Sequence, residues 1–140
     1  MVGAQELSSP PSLRTEDLSP TQFGLPDSEV KLRRALGRPV SIVHGENGSI
    51  LKYKGLSVWT DGTSILGANV TDEARRTRRG LQVSDTEMRT QELYGAPTST
   101  YKSESKGTLD LFYQIERTEA LVVTVKAGRV LGIYTGAIYD

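Results

Sequence analysis

The chain has 140 residues, enough to bury one hydrophobic core without metal or disulfide staples. Its 17 basic and 17 acidic side chains cancel, so no net field favours nucleic acid or an anionic membrane surface. Cysteine is absent, which removes disulfides, thiolate zinc sites and cysteine nucleophiles together, and no apolar run of about 18 residues is present to span a bilayer.

Residues 1–20 are rich in Ser and Pro and poor in large apolar side chains, a composition that predicts a flexible N-terminal tail ahead of a single domain over residues 21–140. No basic segment followed by an apolar one marks a signal peptide. Phe23 and Leu25 open the globular part. A first helix is expected over Ser28–Leu36, capped by Asp27 or Ser28, with Val30, Leu32, Ala35 and Leu36 apolar. Strands follow at Val40–His44, Ser49–Lys54, Leu56–Thr60 and Ser64–Val70, with Asn47-Gly48 and Asp61-Gly62 supplying the positive φ of hairpin turns. Thr71–Arg79 is polar, carries four arginines and reads as a solvated linker. A second helix over Asp85–Tyr94 follows, in which Ser84 and Glu87 have the spacing of a capping box, while Gly95 and Pro97 stop it. The remaining strands are expected at Thr98–Ser103, Thr108–Ile115, Ala120–Lys126 and Arg129–Tyr134.

The two halves are similar. Glu29, Val30, Leu36, Gly37 and Pro39 match Glu87, Met88, Tyr94, Gly95 and Pro97 at a constant offset of 58. Leu56–Gly67 resembles Val122–Gly132, each a strand, a tight turn and a strand. An internal repeat over about 23–71 and 79–136 follows, and with it a fold class. The chain should be α+β, two tandem helix–β-meander repeats forming one continuous antiparallel sheet with two short helices on one face.

Alternation along the strands assigns the faces. Leu51, Tyr53, Leu56, Val58, Leu66, Ala68, Leu109, Leu111, Tyr113, Ile115, Leu121, Val123, Val125, Leu131 and Ile133 should face the helices. The opposite face should carry Trp59, Phe112 and Tyr134, rimmed by Lys52, Lys54, Asp110, Gln114 and Lys126. An open antiparallel sheet can leave one face wet, but three aromatic rings are more than solubility needs. Trp59, Phe112, Tyr134, Lys52 and Lys126 are therefore the candidate partner-binding residues, for another protein or a second copy of this chain.

A glycine–hydrophobic lead-in (Gly24-Leu25, Gly80-Leu81), a capped short helix ending in Leu36-Gly37 or Tyr94-Gly95 before a proline, and an antiparallel meander resemble one family group. The pattern, over Phe23–Thr135, is similar to the tandem helix–meander repeats of the β-lactamase inhibitor protein fold and the related small outer-membrane assembly (BamE-like) lipoproteins. The resemblance implies a bacterial, extracytoplasmic, non-catalytic protein whose sheet face or loops grip another protein, its signal sequence having been removed. The chain lacks the cysteines of the inhibitor proteins and a lipobox cysteine, and no functional residue carries across.

Catalytic chemistry has little to build on. His44, the sole histidine, has no ligand or triad partner at fixed spacing, no serine lies in a Gly-x-Ser-x-Gly elbow, the acidic residues do not have calcium-loop spacing, and the glycines form no phosphate loop. No catalytic residue, metal or cofactor is expected. Arg75-Arg76-Thr77-Arg78-Arg79 could serve an acidic partner but suits a linker balanced by Asp72 and Glu73. Asn47-Gly48-Ser49 and Asn69-Val70-Thr71 match the glycosylation pattern and read better as a turn and a strand end. The alternative to a protein-binding module is a small-molecule binder or enzyme with a pocket between sheet and helices.

Overall fold

In the computed structural model, which describes residues 10–138, one order of elements occurs twice. Helix α1 (Glu29–Leu36) precedes strands β1 (Ser41–His44), β2 (Ser49–Tyr53), β3 (Leu56–Thr60) and β4 (Ile65–Val70). Helix α2 (Glu87–Tyr94) precedes β5 (Ser99–Ser103), β6 (Thr108–Tyr113), β7 (Glu119–Lys126) and β8 (Arg129–Ala137). The fold is α+β. All eight strands form a single antiparallel sheet in the order β1-β2-β3-β4-β8-β7-β6-β5. The last strands of the two halves therefore meet at the centre, and β1 and β5 are the free edges.

One face of this sheet is dry. Leu51, Val58, Ala68, Thr135, Leu121 and Tyr113 oppose one another from strand to strand, and all are buried. Leu32 of α1 and Tyr94 of α2 belong to the same core, and the Tyr94 ring lies 5.6 Å from that of Tyr113. Two residues expected inward are not, because period-2 alternation breaks at a bulge in each half. Pairing shifts between Trp59 and Thr60 leave Leu66 as the extra residue of β4. The same shift between Thr124 and Val125 leaves Leu131 extra in β8. Ile65 and Val130 take the core positions instead, and Leu131 is 49% exposed. Ile115, also expected inward, lies beyond the end of β6 and is exposed. Of the apolar residues expected on the first helix's inner side, only Leu32 is buried; Val30 and Ala35 are exposed.

The helix ends are built alike. Ser28 Oγ accepts from the Lys31 N–H (3.3 Å) and Thr86 Oγ1 from the Arg89 N–H (3.0 Å), each an N-cap bond. The next N–H, of Glu29 or Glu87, donates to Thr63 O or Gly128 O, both at 2.9 Å, tying each helix to the hairpin of its own third and fourth strands. Each helix stops at a glycine with φ 79°. The Tyr53 and Tyr113 hydroxyls donate to the carbonyls of those glycines, Gly37 (3.0 Å) and Gly95 (2.8 Å). Burial pushes the Tyr94 and Tyr113 phenols up to about 12, so both remain donors. The expected cap at Ser84 is corrected to Thr86. Ser84 is left-handed (φ 76°) and its N–H donates to Val130 O (2.8 Å), so its side chain faces no orphan helix donor.

The expected tail and linker are corrected too. Residues 1–9 lie outside the described residues, but from Pro10 onward the segment is structured. Two 3-10 turns, Thr15–Leu18 and Pro20–Phe23, lie over β4, β7 and β8 and send Leu18, Phe23 and Leu25 into the core. Asp17 is fully buried. It accepts from the Arg14 N–H (2.9 Å) and from Arg79 Nε and Nη2 (3.3 and 2.9 Å). Arg79 also donates to Pro11 O (2.9 Å), Ser12 O (2.7 Å) and Leu93 O (2.9 Å), and its guanidinium lies 5.1 Å from the Tyr94 ring centre. Arg75 Nη1 donates to Phe23 O (3.2 Å), and Gln22 Oε1 accepts from the Arg78 N–H (3.1 Å). The arginine run is a clamp on the N-terminal segment. Composition could not show this, because the partners lie 62 residues apart in the chain.

Two outcomes are expected. Thr86→Ala should cost about 1 kcal/mol of stability, whereas Ser84→Gly, which relieves a left-handed residue, should add about 1 kcal/mol. Arg79→Met should cost about 3–5 kcal/mol, because it removes both guanidinium hydrogen bonds from the buried Asp17 carboxylate and leaves beside it only the partly exposed Arg78, 3.6 Å away. Deletion through Leu18 should lower the melting temperature by many degrees. Urea titrations and melting curves of these variants check both.

Candidate functional site

The side of the sheet away from the helices is the candidate site, and its side chains fall in rows of directly opposed residues. One row runs Lys52, Ser57, Asn69, Tyr134, Val122, Phe112 across six strands. The neighbouring row runs Val43, Ile50, Trp59, Gly67, Gly136, Ala120. At the centre Gly67 and Gly136 oppose each other; the missing Gly67 Cβ leaves a notch on the open face, whereas a Gly136 Cβ would run into the β4 backbone at Gly67 Cα. The Tyr134 ring lies in it. Its Cζ sits 2.8 Å from where a Gly67 Cβ would be, and its hydroxyl donates to Ala137 O. Trp59 meets that ring edge-on, with centroids 5.4 Å apart and planes at 86°, a favoured aromatic geometry.

The structure thus brings together most of the expected set. Trp59, Tyr134 and Phe112 are all half-buried on the open face; Trp59 and Tyr134 touch, and Phe112 follows one strand beyond Val122. Lys52 ends the same row. Lys126 does not belong to this band. It pairs with Thr108 and Arg129 at the far end of β7, and its Cε lies 4.0 Å from the Gly107 Cβ position. Asp110, expected at the rim, accepts from the neighbouring Thr124 hydroxyl (2.7 Å). The Trp59 indole N–H has no acceptor among the described residues and is available to a partner.

Beside Trp59 is a shallow hollow of about 290 Å³, lined by Val43, Ile50, Trp59 and Leu66 and walled by the Gly45–Gly48 loop. Sequence reasoning missed it, since Leu66 reaches it only through the β4 bulge. The space beneath the helices holds the core side chains, but at its edge an open hollow of about 410 Å³ lies between Glu87 at the start of α2 and Lys102, Leu109 and Val125 of the sheet, which is where the alternative pocket between sheet and helices would be. His44 opposes Ser49, which opposes Thr60, and the Thr60 hydroxyl donates to Glu29 of α1 (3.0 Å); His44 therefore belongs to the helix side of the edge. Its Nδ1 lies 3.2 Å from Ser49 Oγ, with no carboxylate bonded to the ring among the described residues. No group of three metal-ligating side chains occurs among the described residues. What the open face offers is apolar and aromatic surface with a few hydrogen-bonding groups.

No family model and no curated protein matches the chain. Two solved structures are similar in fold. One is the Bacillus subtilis protein YjgB, of the DUF4309 family, at 13% identity and TM-score 0.55, with 88% of this chain and 95% of that one covered. The other is an extracellular protein containing an SCP domain from Bacillus anthracis, at 9% identity and TM-score 0.57. It covers 94% of this chain, which spans 50% of that protein's length. Identities this low describe a shared fold. No helix among the described residues is long and apolar enough to cross a membrane.

The notch can be tested. Gly67→Ala puts a methyl where the Tyr134 ring lies, so it should displace the ring, red-shift the emission of the sole tryptophan and cost about 1–3 kcal/mol. Unchanged Trp59 fluorescence would contradict the packing.

Proposed function

We propose that this domain is a non-catalytic, extracytoplasmic protein-binding or assembly module that grips another protein with the open face of its sheet. The observation that carries the reading is the Trp59–Tyr134 pair, with the Tyr134 ring seated in the notch at Gly67. Aromatic side chains held rigid by a scaffold and half-exposed are the usual anchors of an interface. The extracellular B. anthracis neighbour supports the location, and the resemblance to the β-lactamase inhibitor and BamE-like proteins supports the mode of action. We further propose that the halves are tandem copies of one helix–meander unit. The matched caps, glycine stops, tyrosine bonds and bulges support that duplication.

A second reading rests on the hollow beside Trp59. At about 290 Å³ it is close to the lower limit of small-ligand pockets, and its lining suits a compact apolar molecule. A photo-crosslinking residue placed at Phe112 or Val122 separates the two readings. It should yield a discrete adduct with a protein from the cell envelope or medium, while the same residue at exposed Met88 on α2 should not. Equal labelling from Met88, or adducts unaffected by Trp59→Ala, would refute the open-face reading.

A further inference from the structure

The chain has two asparagines, Asn47 and Asn69, and the fold treats them differently. Asn69 lies within β4, and the next residue, Val70, is buried and paired with Leu56 and Ile133. The branched side chain of Val70 crowds its own nitrogen. Asn47 is exposed in the loop between β1 and β2, and the next residue is Gly48. Neither the Asn47 carboxamide nor the Gly48 N–H is hydrogen-bonded among the described residues. Gly48 is fixed by the fold, since a Cβ there would run into Thr60 O of β3, a close approach that glycine alone permits. The other turn of this kind, Asp61-Gly62, is held. Asp61 Oδ1 accepts from the Thr63 and Ser64 N–H groups (2.9 and 2.7 Å), and the Gly62 N–H donates to Thr60 Oγ1 (3.0 Å).

We propose that Asn47 is a site of self-modification, converting to aspartate and isoaspartate in the folded protein with water as co-reactant. The Gly48 nitrogen gives its proton to hydroxide and attacks Asn47 Cγ. The new C–N bond closes a succinimide ring. The bond from Cγ to Nδ2 breaks, and the leaving nitrogen takes a proton from water, so ammonia departs and hydroxide is restored. Water then adds to either ring carbonyl and opens the ring to a carboxylate, with nothing oxidised or reduced. Opening at one carbonyl gives aspartate; opening at the other runs the main chain through Cγ and lengthens the loop by a methylene. The free carboxamide and the unbonded, unshielded nitrogen of Gly48 are what the ring closure needs, and Asn69 and Asp61 lack that combination. The product has a place to act. Asn47 and Gly48 line the hollow beside Trp59, and Glu46 precedes them, so a neutral stretch of the wall gains a carboxylate beside an existing one. The reaction itself requires no ligand in the hollow.

The test is peptide mapping by mass spectrometry of the whole chain after incubation, folded and in urea, at neutral and at alkaline pH. Asn47 should gain about 1 Da while Asn69 of the folded protein does not, and the product should separate into aspartyl and isoaspartyl peptides. The folded chain should convert within about tenfold of the rate in urea, as a loop that opens at little cost allows, and faster at alkaline pH, where the Gly48 nitrogen loses its proton more readily. Asn47→Gln should abolish the gain and Asn69→Gln should leave it. Folded protein that retains Asn47 while the chain in urea converts more than about tenfold faster overturns the proposal. Aspartate as the sole product, which direct hydrolysis would give, overturns it as well, as does Asn69 converting alongside Asn47 in the folded state.

Discussion

The ion pair between Asp17 and Arg79 holds the architecture closed. Two helix–meander units joined at β4 and β8 place their helices toward the two halves of the sheet, and the central strands need a cover of their own. The N-terminal segment supplies it with Leu18, Phe23 and Leu25, but it is short, and its 3-10 turns have little stability alone. A charge buried at Asp17 requires a cation, and Arg79 uses the whole donor fork of its side chain on that segment and on the last turn of α2. A buried pair of this kind contributes little net free energy against an apolar substitute. What it supplies is position, since one guanidinium ties Pro11, Ser12 and Asp17 of the segment to Leu93 of α2 at once.

The sequence made the regular elements legible because their determinants are local. Both glycine stops, the β1–β2, β3–β4 and β7–β8 turns and the alternation of β3 and β7 lie within a few residues of what they control, and each strand is found within about three residues of its expected ends. The errors lie where determinants are distant or overlapping. Composition classed Pro10–Pro20 with disordered chain because its partner, Arg79, is far along the sequence. Alternation placed Leu66 and Leu131 inward because a period of two cannot register an inserted residue. The cap was misread because Ser84 and Glu87 have capping-box spacing although Thr86 holds the site. There the signal was present, since the 58-residue offset that matches the helices sets Thr86 opposite Ser28.

The open face was legible in part for a related reason. Trp59, Phe112 and Tyr134 follow from alternation alone, but the notch depends on Gly67 of β4 lying beside the Tyr134 ring of β8. That contact joins the two halves, and nothing local to either strand announces it. Lys126 was grouped with the aromatics because alternation gives the face and not the distance along the strand.

Comparing the halves shows where the molecule has a choice. Positions that build the unit match: Ser28 with Thr86, Gly37 with Gly95, Tyr53 with Tyr113, Leu66 with Leu131. Positions on the open face do not. By the registers that align the strands, Trp59 stands where the second half has Thr124, Phe112 where the first has Lys52, and Tyr134 where the first has Asn69. The lining of the hollow, Val43, Ile50, Trp59 and Leu66, corresponds to Tyr101, Asp110, Thr124 and Leu131. There the Thr124 hydroxyl bonds to Asp110 and no apolar floor forms. Folding constrains both halves alike, because each needs the same cap, stop and bulge. The halves differ inside as well, where Leu32 and Leu36 correspond to Thr90 and Tyr94 and Ala68 and Val70 to Ile133 and Thr135, but the differences on the wet face concentrate apolar surface on one part of a sheet whose backbone is nearly symmetric. Under the proposed duplication, the band from Trp59 to Phe112 is one place where the two copies diverged, and the proposed partner-binding role gives a reason for apolar residues there that packing does not.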